Sequence, residues 1–64
     1  MKLTSYRIKI RKNQWSIIMT SIMGIYSVQF LRNGNVISIY NTKSRSKAEA
    51  KLQRIRNAVE KIRS

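Results

Sequence analysis

The 64-residue chain has no cysteine, no histidine and no proline, only two glycines, and only two acidic residues, Glu49 and Glu60. Without cysteine there is no disulfide, and without cysteine or histidine the usual zinc ligand sets cannot be assembled. Catalysis loses its commonest general base and its most reactive nucleophile together. The two carboxylates fall on what reads as one helix, with roughly 16 Å of rise between them. Paired carboxylates in hydrolases face each other within about 10 Å. Gly24 and Gly34 stand alone, so no glycine-rich phosphate loop is present. These absences point to a protein that is not an enzyme and needs no cofactor, no metal and no small-molecule substrate. The lack of cysteine also suits a reducing, cytoplasmic setting.

Positive charge is what the chain has in excess: 14 Lys and Arg give a formal net charge of +12. Like charges crowded on a small fold repel one another. Surfaces that serve solubility alone usually mix both signs. A polyanionic partner accounts for the imbalance, whether nucleic acid, an anionic membrane or an acidic protein. The membrane reading draws on residues 13–31, which carry no charge. A spanning helix needs about 20 predominantly apolar residues, and Asn13, Gln14, Ser16, Thr20, Ser21, Ser27 and Gln29 break that run. Nor does the N-terminus read as a cleavable signal. Membrane insertion is therefore not the expectation.

A chain of this length supports one thin core, so residues 1–64 read as a single small basic domain. Ala48, Leu52, Ile55, Val59 and Ile62 recur at steps of four and three, which predicts a helix over 46–62. Neither proline nor glycine interrupts it. Ser46 and Glu49 have the spacing of a capping box at its start. Asn33-Gly34 is the dipeptide that a two-residue hairpin turn prefers. It predicts strands over 25–32 and 35–41, with Phe30 facing Ile37 and Val28 facing Ile39 on an apolar face. Leu31 and Val36 would meet on the other face. Tyr6, Ile8 and Ile10 alternate with Arg7, Lys9 and Arg11, the pattern of a strand with one apolar and one basic side. Residues 13–24 admit two readings. As a helix, Trp15, Ile18, Met19 and Ile22 form a stripe between Asn13 and Gly24. As a strand, a turn at Lys12-Asn13 sets Trp15 against Ile10, Ile17 against Ile8 and Met19 against Tyr6, and the Trp, Ile and Thr content leans this way. The fold class expected is α+β, an antiparallel sheet of three or four strands packed against one C-terminal α-helix.

On that architecture the outer sheet face would carry Arg7, Lys9 and Arg11, then Ser27 and Gln29, then Ser38 and Tyr40. Arg and Lys bind phosphate or the guanine edge, Gln pairs with adenine, and a tyrosine ring stacks on an unpaired base. One helix flank gathers Lys47, Lys51, Arg54 and Lys61. The other mixes Arg45, Arg56 and Arg63 with both acids. The connection from Thr42 to Lys47 combines Lys43 and Arg45 with hydroxyls before a helix N-terminus, whose free amides suit phosphate. The candidate nucleic-acid contacts are thus Arg7, Lys9, Arg11, Gln29, Ser38, Tyr40, Lys43, Arg45, Lys47, Lys51 and Arg54.

The run YSVQFLRNGNVISIYNTKSRSKAEAKL, from Tyr26 to Leu52, resembles the N-terminal arm-binding domain of phage and transposon tyrosine recombinases, and plant ethylene-response-factor domains are similar in plan. The shared features are strand, Asn-Gly turn, strand, Thr-Lys, and a helix opening with Ala-Glu-Ala. The resemblance implies three antiparallel strands on one helix, with the outer sheet face entering the DNA major groove. The chain departs from that family in the uncharged segment 13–24 and in the absence of a catalytic recombinase domain, and these departures point to a free-standing DNA-binding accessory protein of the kind carried by viruses or mobile elements. The leading expectation is therefore nucleic-acid binding, DNA ahead of RNA, by a monomer or homodimer associated with nucleic acid in the cytoplasm. An acidic protein surface bound by a small phage- or plasmid-type interaction module is the alternative, with Leu31 and Val36 as its anchors. A ribosome-associated RNA-binding protein is a third reading.

Overall fold

A computed structural model describes residues 2–63. It shows four consecutive antiparallel strands, β1 (Lys2–Ile10), β2 (Asn13–Ile22), β3 (Ile25–Arg32) and β4 (Asn35–Thr42), in the spatial order β1-β2-β3-β4. One helix, α1 (Arg45–Arg63), packs across one face of this sheet and touches all four strands. The α+β reading holds, and residues 13–22 are strand. The strand wins there because Ile17 and Met19, two apart, both enter the core, which a helix does not allow.

The core lies between the sheet and α1. Ile17, Val28, Ala48 and Val59 are fully buried and Met19 nearly so, and Leu3, Tyr6, Tyr26, Phe30, Tyr40, Leu52 and Ile55 are packed around this core. Trp15 stacks on Phe30 at 5.3 Å between ring centroids. Ala48 allows α1 to approach the sheet closely, since any larger side chain at this wholly buried position would meet the strands. Ile62, the last residue of the expected stripe, remains 60% exposed. No helix among the described residues is long and apolar enough to cross a membrane.

Three short turns set the meander. Asn33 and Gly34 both take positive φ, 52° and 84°, as an Asn-Gly hairpin turn requires. Asn33 also ties the strands together. Its backbone N–H donates to the Gln14 carbonyl at 2.7 Å, and its side-chain oxygen accepts from the Gln14 N–H at 2.8 Å. Met23 and Gly24 repeat the geometry with φ of 51° and 79°. A methionine is poorly suited to that left-handed position, and its side chain is 96% exposed. Met23→Asn should therefore stabilise the fold by about 0.5–1 kcal/mol, read as a raised urea midpoint at unchanged slope.

Four details differ from the expected pattern. The first hairpin turns at Arg11-Lys12, with Ile10 opposite Asn13, so Ile8 faces Trp15 and Tyr6 faces Ile17. The register has moved by two residues, which keeps every side chain on its expected face. Arg11, with φ 56°, consequently belongs to the turn and leaves the strand row of Arg7 and Lys9.

The helix starts one residue before Ser46, and its cap is Ser44. The Ser44 Oγ accepts from the Lys47 N–H at 3.3 Å, its carbonyl accepts from the Ala48 N–H at 3.1 Å, and Thr42 Oγ1 accepts from the Ser44 N–H. Glu49 pairs with Arg45 at 3.0 Å instead of closing a capping box. Most consequential is the second hairpin. Leu31 faces Val36 as expected, but the register shifts by one residue beyond that pair, so Phe30 faces Ser38, Gln29 faces Ile39 and Val28 faces Tyr40. A bulge at Ile37 thus moves Tyr40 to the helix side and Ile39 to the outer side. As β4 is an edge strand it has only one ladder to disturb, and the Tyr40 ring covers more of the core margin than an isoleucine.

Candidate nucleic-acid interface

Residues four and three apart on a helix share a face, so Lys47, Lys51 and Arg54 form a row rising about 10 Å along α1. The row faces β4. There the bulge has turned Tyr40 toward the helix, and Lys51 Nζ lies 5.7 Å from the centre of its ring. Tyr40, Lys47, Ala50, Lys51 and Arg54 line a shallow groove of about 290 Å³. Ala50 keeps the middle open because it contributes only a methyl group. The groove is open to solvent, with an aromatic wall on the sheet side and a cationic row on the helix side.

Among the described residues no carboxylate neutralises that row. Glu49 is held by Arg45, and Glu60 lies 3.9 Å from Arg63 on the far flank of α1. Glu60 also accepts a hydrogen bond from the Tyr6 hydroxyl, and Arg56 lies 4.5 Å over the Tyr6 ring. That hydrogen bond to a carboxylate raises the Tyr6 phenol above its ordinary value, with desolvation and the Glu60 charge acting in the same direction. The chain's two acids are thus engaged on the β1 side of the helix. Among the described residues Lys47, Lys51 and Arg54 have no ion-pair partner, and nor do Arg7 and Lys9.

The expected site residues divide into separate groups. Tyr40, Lys47, Lys51 and Arg54 come together in the groove. Lys43 is exposed in the connection between β4 and α1. Arg45 turns to the opposite flank, where Glu49 neutralises it. Arg7 and Lys9 are exposed on the outer sheet face, facing Ser16 and Gln14 across the ladder. Gln29 is on that face too, between Ile18 and Ile39. Ser38 and Tyr40 are corrected to the helix side by the bulge, although Ser38 remains exposed.

The outer face therefore has an apolar centre, with Ile18 and Leu31 half-buried and Val36 and Ile39 49% and 57% exposed. Pattern reading found the Leu31–Val36 pair there but assigned Ile39 to the core. The signal was hidden because Ile37, Ile39 and Tyr40 all suit burial, and alternation cannot reveal an inserted residue.

No family model, curated protein or solved structure matches this chain. The groove sets point charges at one-turn intervals beside a ring able to stack or donate a hydrogen bond.

Proposed function

We propose that the chain binds nucleic acid, with DNA as the substrate class, by laying a phosphate backbone in the groove between α1 and β4. The observation that carries this reading is the row Lys47, Lys51, Arg54. Among the described residues it has no carboxylate partner, in a chain of net charge +12, and it runs beside an aromatic ring. Phosphate would replace water around the three cations and release condensed counterions from the polymer. Tyr40 would donate its hydroxyl to a phosphate oxygen or stack on a base. Arg7 and Lys9 on the opposite sheet face, and Lys43 beyond the end of β4, would act as secondary contacts. DNA stands ahead of RNA because the Tyr26–Leu52 run resembles DNA-binding domains.

The test is binding of a labelled duplex of about 20 base pairs, its single strand and the equivalent RNA across a salt series. Six neutralised phosphates would give a log–log slope near −5 on duplex DNA. Steep binding that prefers the duplex supports the proposal as stated. Preference for the RNA or the single strand would reassign the substrate. Weak, shallow binding to all three at physiological salt would overturn it and direct the charge to an acidic protein surface.

A further inference from the structure

The two edges of the sheet are built differently. β1 reads KLTSYRIKI and presents Lys2, Arg7 and Lys9 along its length. β4 reads NVISIYNT and contains no charged residue and no proline. Its free edge offers unpaired N–H and C=O groups, which natural sheets usually guard with lysine, proline or a covering element. β1 follows that rule and β4 does not. Three of the exposed large apolar side chains, Val36, Ile37 and Ile39, also belong to β4. In a chain of net charge +12, this eight-residue edge adds no cation of its own to a contact between two copies, whereas the β1 edge would add Lys2, Arg7 and Lys9.

We infer that the chain forms a homodimer by antiparallel pairing of β4 with β4 of a second copy. A two-fold axis perpendicular to the sheet relates antiparallel edges, so each copy uses the same strand and the contact closes on itself. The product is a continuous eight-stranded sheet with both helices on the same face. The unpaired backbone groups find partners, and Val36 and Ile39 of each copy extend one apolar surface across the axis. A single strand pair with its flanking side chains falls at or below the small end of stable interfaces, about 1,200 Å² in total. The dimer is accordingly weak and concentration-dependent.

Pairing also joins the two grooves. Each groove lies between α1 and β4, on the helix side of the sheet, so the two copies flank the axis with both Tyr40 rings on the floor. Lys47, Lys51 and Arg54 then line both walls of one wider trough. The dimer itself is independent of the nucleic-acid reading, whereas a role for the trough rests on it.

Salt separates the two ideas. Dimerisation brings cations together and should strengthen as salt screens them, whereas binding to a polyanion weakens. The experiment is analytical ultracentrifugation of the free protein over a range of concentrations, at low salt and at about 0.5 M NaCl, where the Debye length is well under 8 Å. The 7.5 kDa chain should approach twice that mass with rising concentration, and more readily at the higher salt. Ile39→Lys should stay monomeric with an unchanged circular dichroism spectrum, because that side chain lies outside the core. Val36→Lys should do the same. Ile22→Lys, an equally exposed apolar position away from β4, should dimerise like the parent. A parent that remains monomeric at millimolar concentration and high salt overturns the proposal. So does a dimer that survives both β4 substitutions. Neither result bears on DNA binding by the monomer.

Discussion

Replacing Lys47, Lys51 and Arg54 together by alanine is expected to weaken duplex binding roughly a hundredfold at about 0.15 M salt and to flatten the salt slope by about 2.7. The two effects have one origin. Each cation that neutralises a phosphate contributes about 0.9 to the slope, and three such contacts raise the affinity by about 0.15 to the power −2.7 over its 1 M reference. The fold should tolerate the change, since all three positions lie on the solvent flank of α1 and alanine favours helix. Removing three like charges should, if anything, relieve repulsion. The control is Arg7→Ala with Lys9→Ala, which removes two outer-face cations and leaves the groove complete. That pair should lose less affinity than the groove variant and flatten the slope by no more than about 1.8. If it proves the more damaging, and the groove variant keeps its slope, the phosphate contacts belong to the sheet face.

The aromatic wall beside the basic row of α1 arises from a single inserted residue. Alternation in β1, the Asn33-Gly34 turn and the stripe from Ala48 to Val59 were all legible, because each expresses a period or a dihedral demand that local residues state outright. They suffice for four strands and a helix. The basic flank of α1 was legible for the same reason, since Lys47, Lys51 and Arg54 repeat with the helix. What no local pattern states is which ladder position is doubled. Around Ile37 the chain runs VISIY, apolar at both parities toward its end, so either register satisfies a hydrophobic count. The bulge resolves it in favour of Tyr40 under the helix. With that choice the tyrosine leaves a presumed base-reading face and becomes the wall of the groove. The helix cap was misplaced for a related reason. Ser44 and Ser46 both have the chemistry of a cap, and only the course of the chain out of β4, tied by Thr42, selects the first.

Two adjacent isoleucines put the whole assignment of faces to a stability test. Ile17 is 1% exposed, opposite Tyr6 and Phe30 and covered by α1, whereas its neighbour Ile18 points to the outer face opposite Ser5 and Gln29. Ile17→Ala deletes buried methyl and methylene groups at a site closed on both sides. It should cost about 2–5 kcal/mol, the transfer loss plus the cavity left behind. A core of this size rarely supplies more than about 3–5 kcal/mol in all, so the variant should be largely unfolded by circular dichroism at room temperature. Ile18→Ala removes the same atoms from a half-exposed position with no layer above it. Its cost should be about 1 kcal/mol or less, a small fall in the urea midpoint with the spectrum unchanged. The reverse order would mean that α1 covers the other face of the sheet. Tyr40 would then be turned away from the helix, and the row of Lys47, Lys51 and Arg54 would have no aromatic wall. The groove, and the binding mode built on it, would fall with that result.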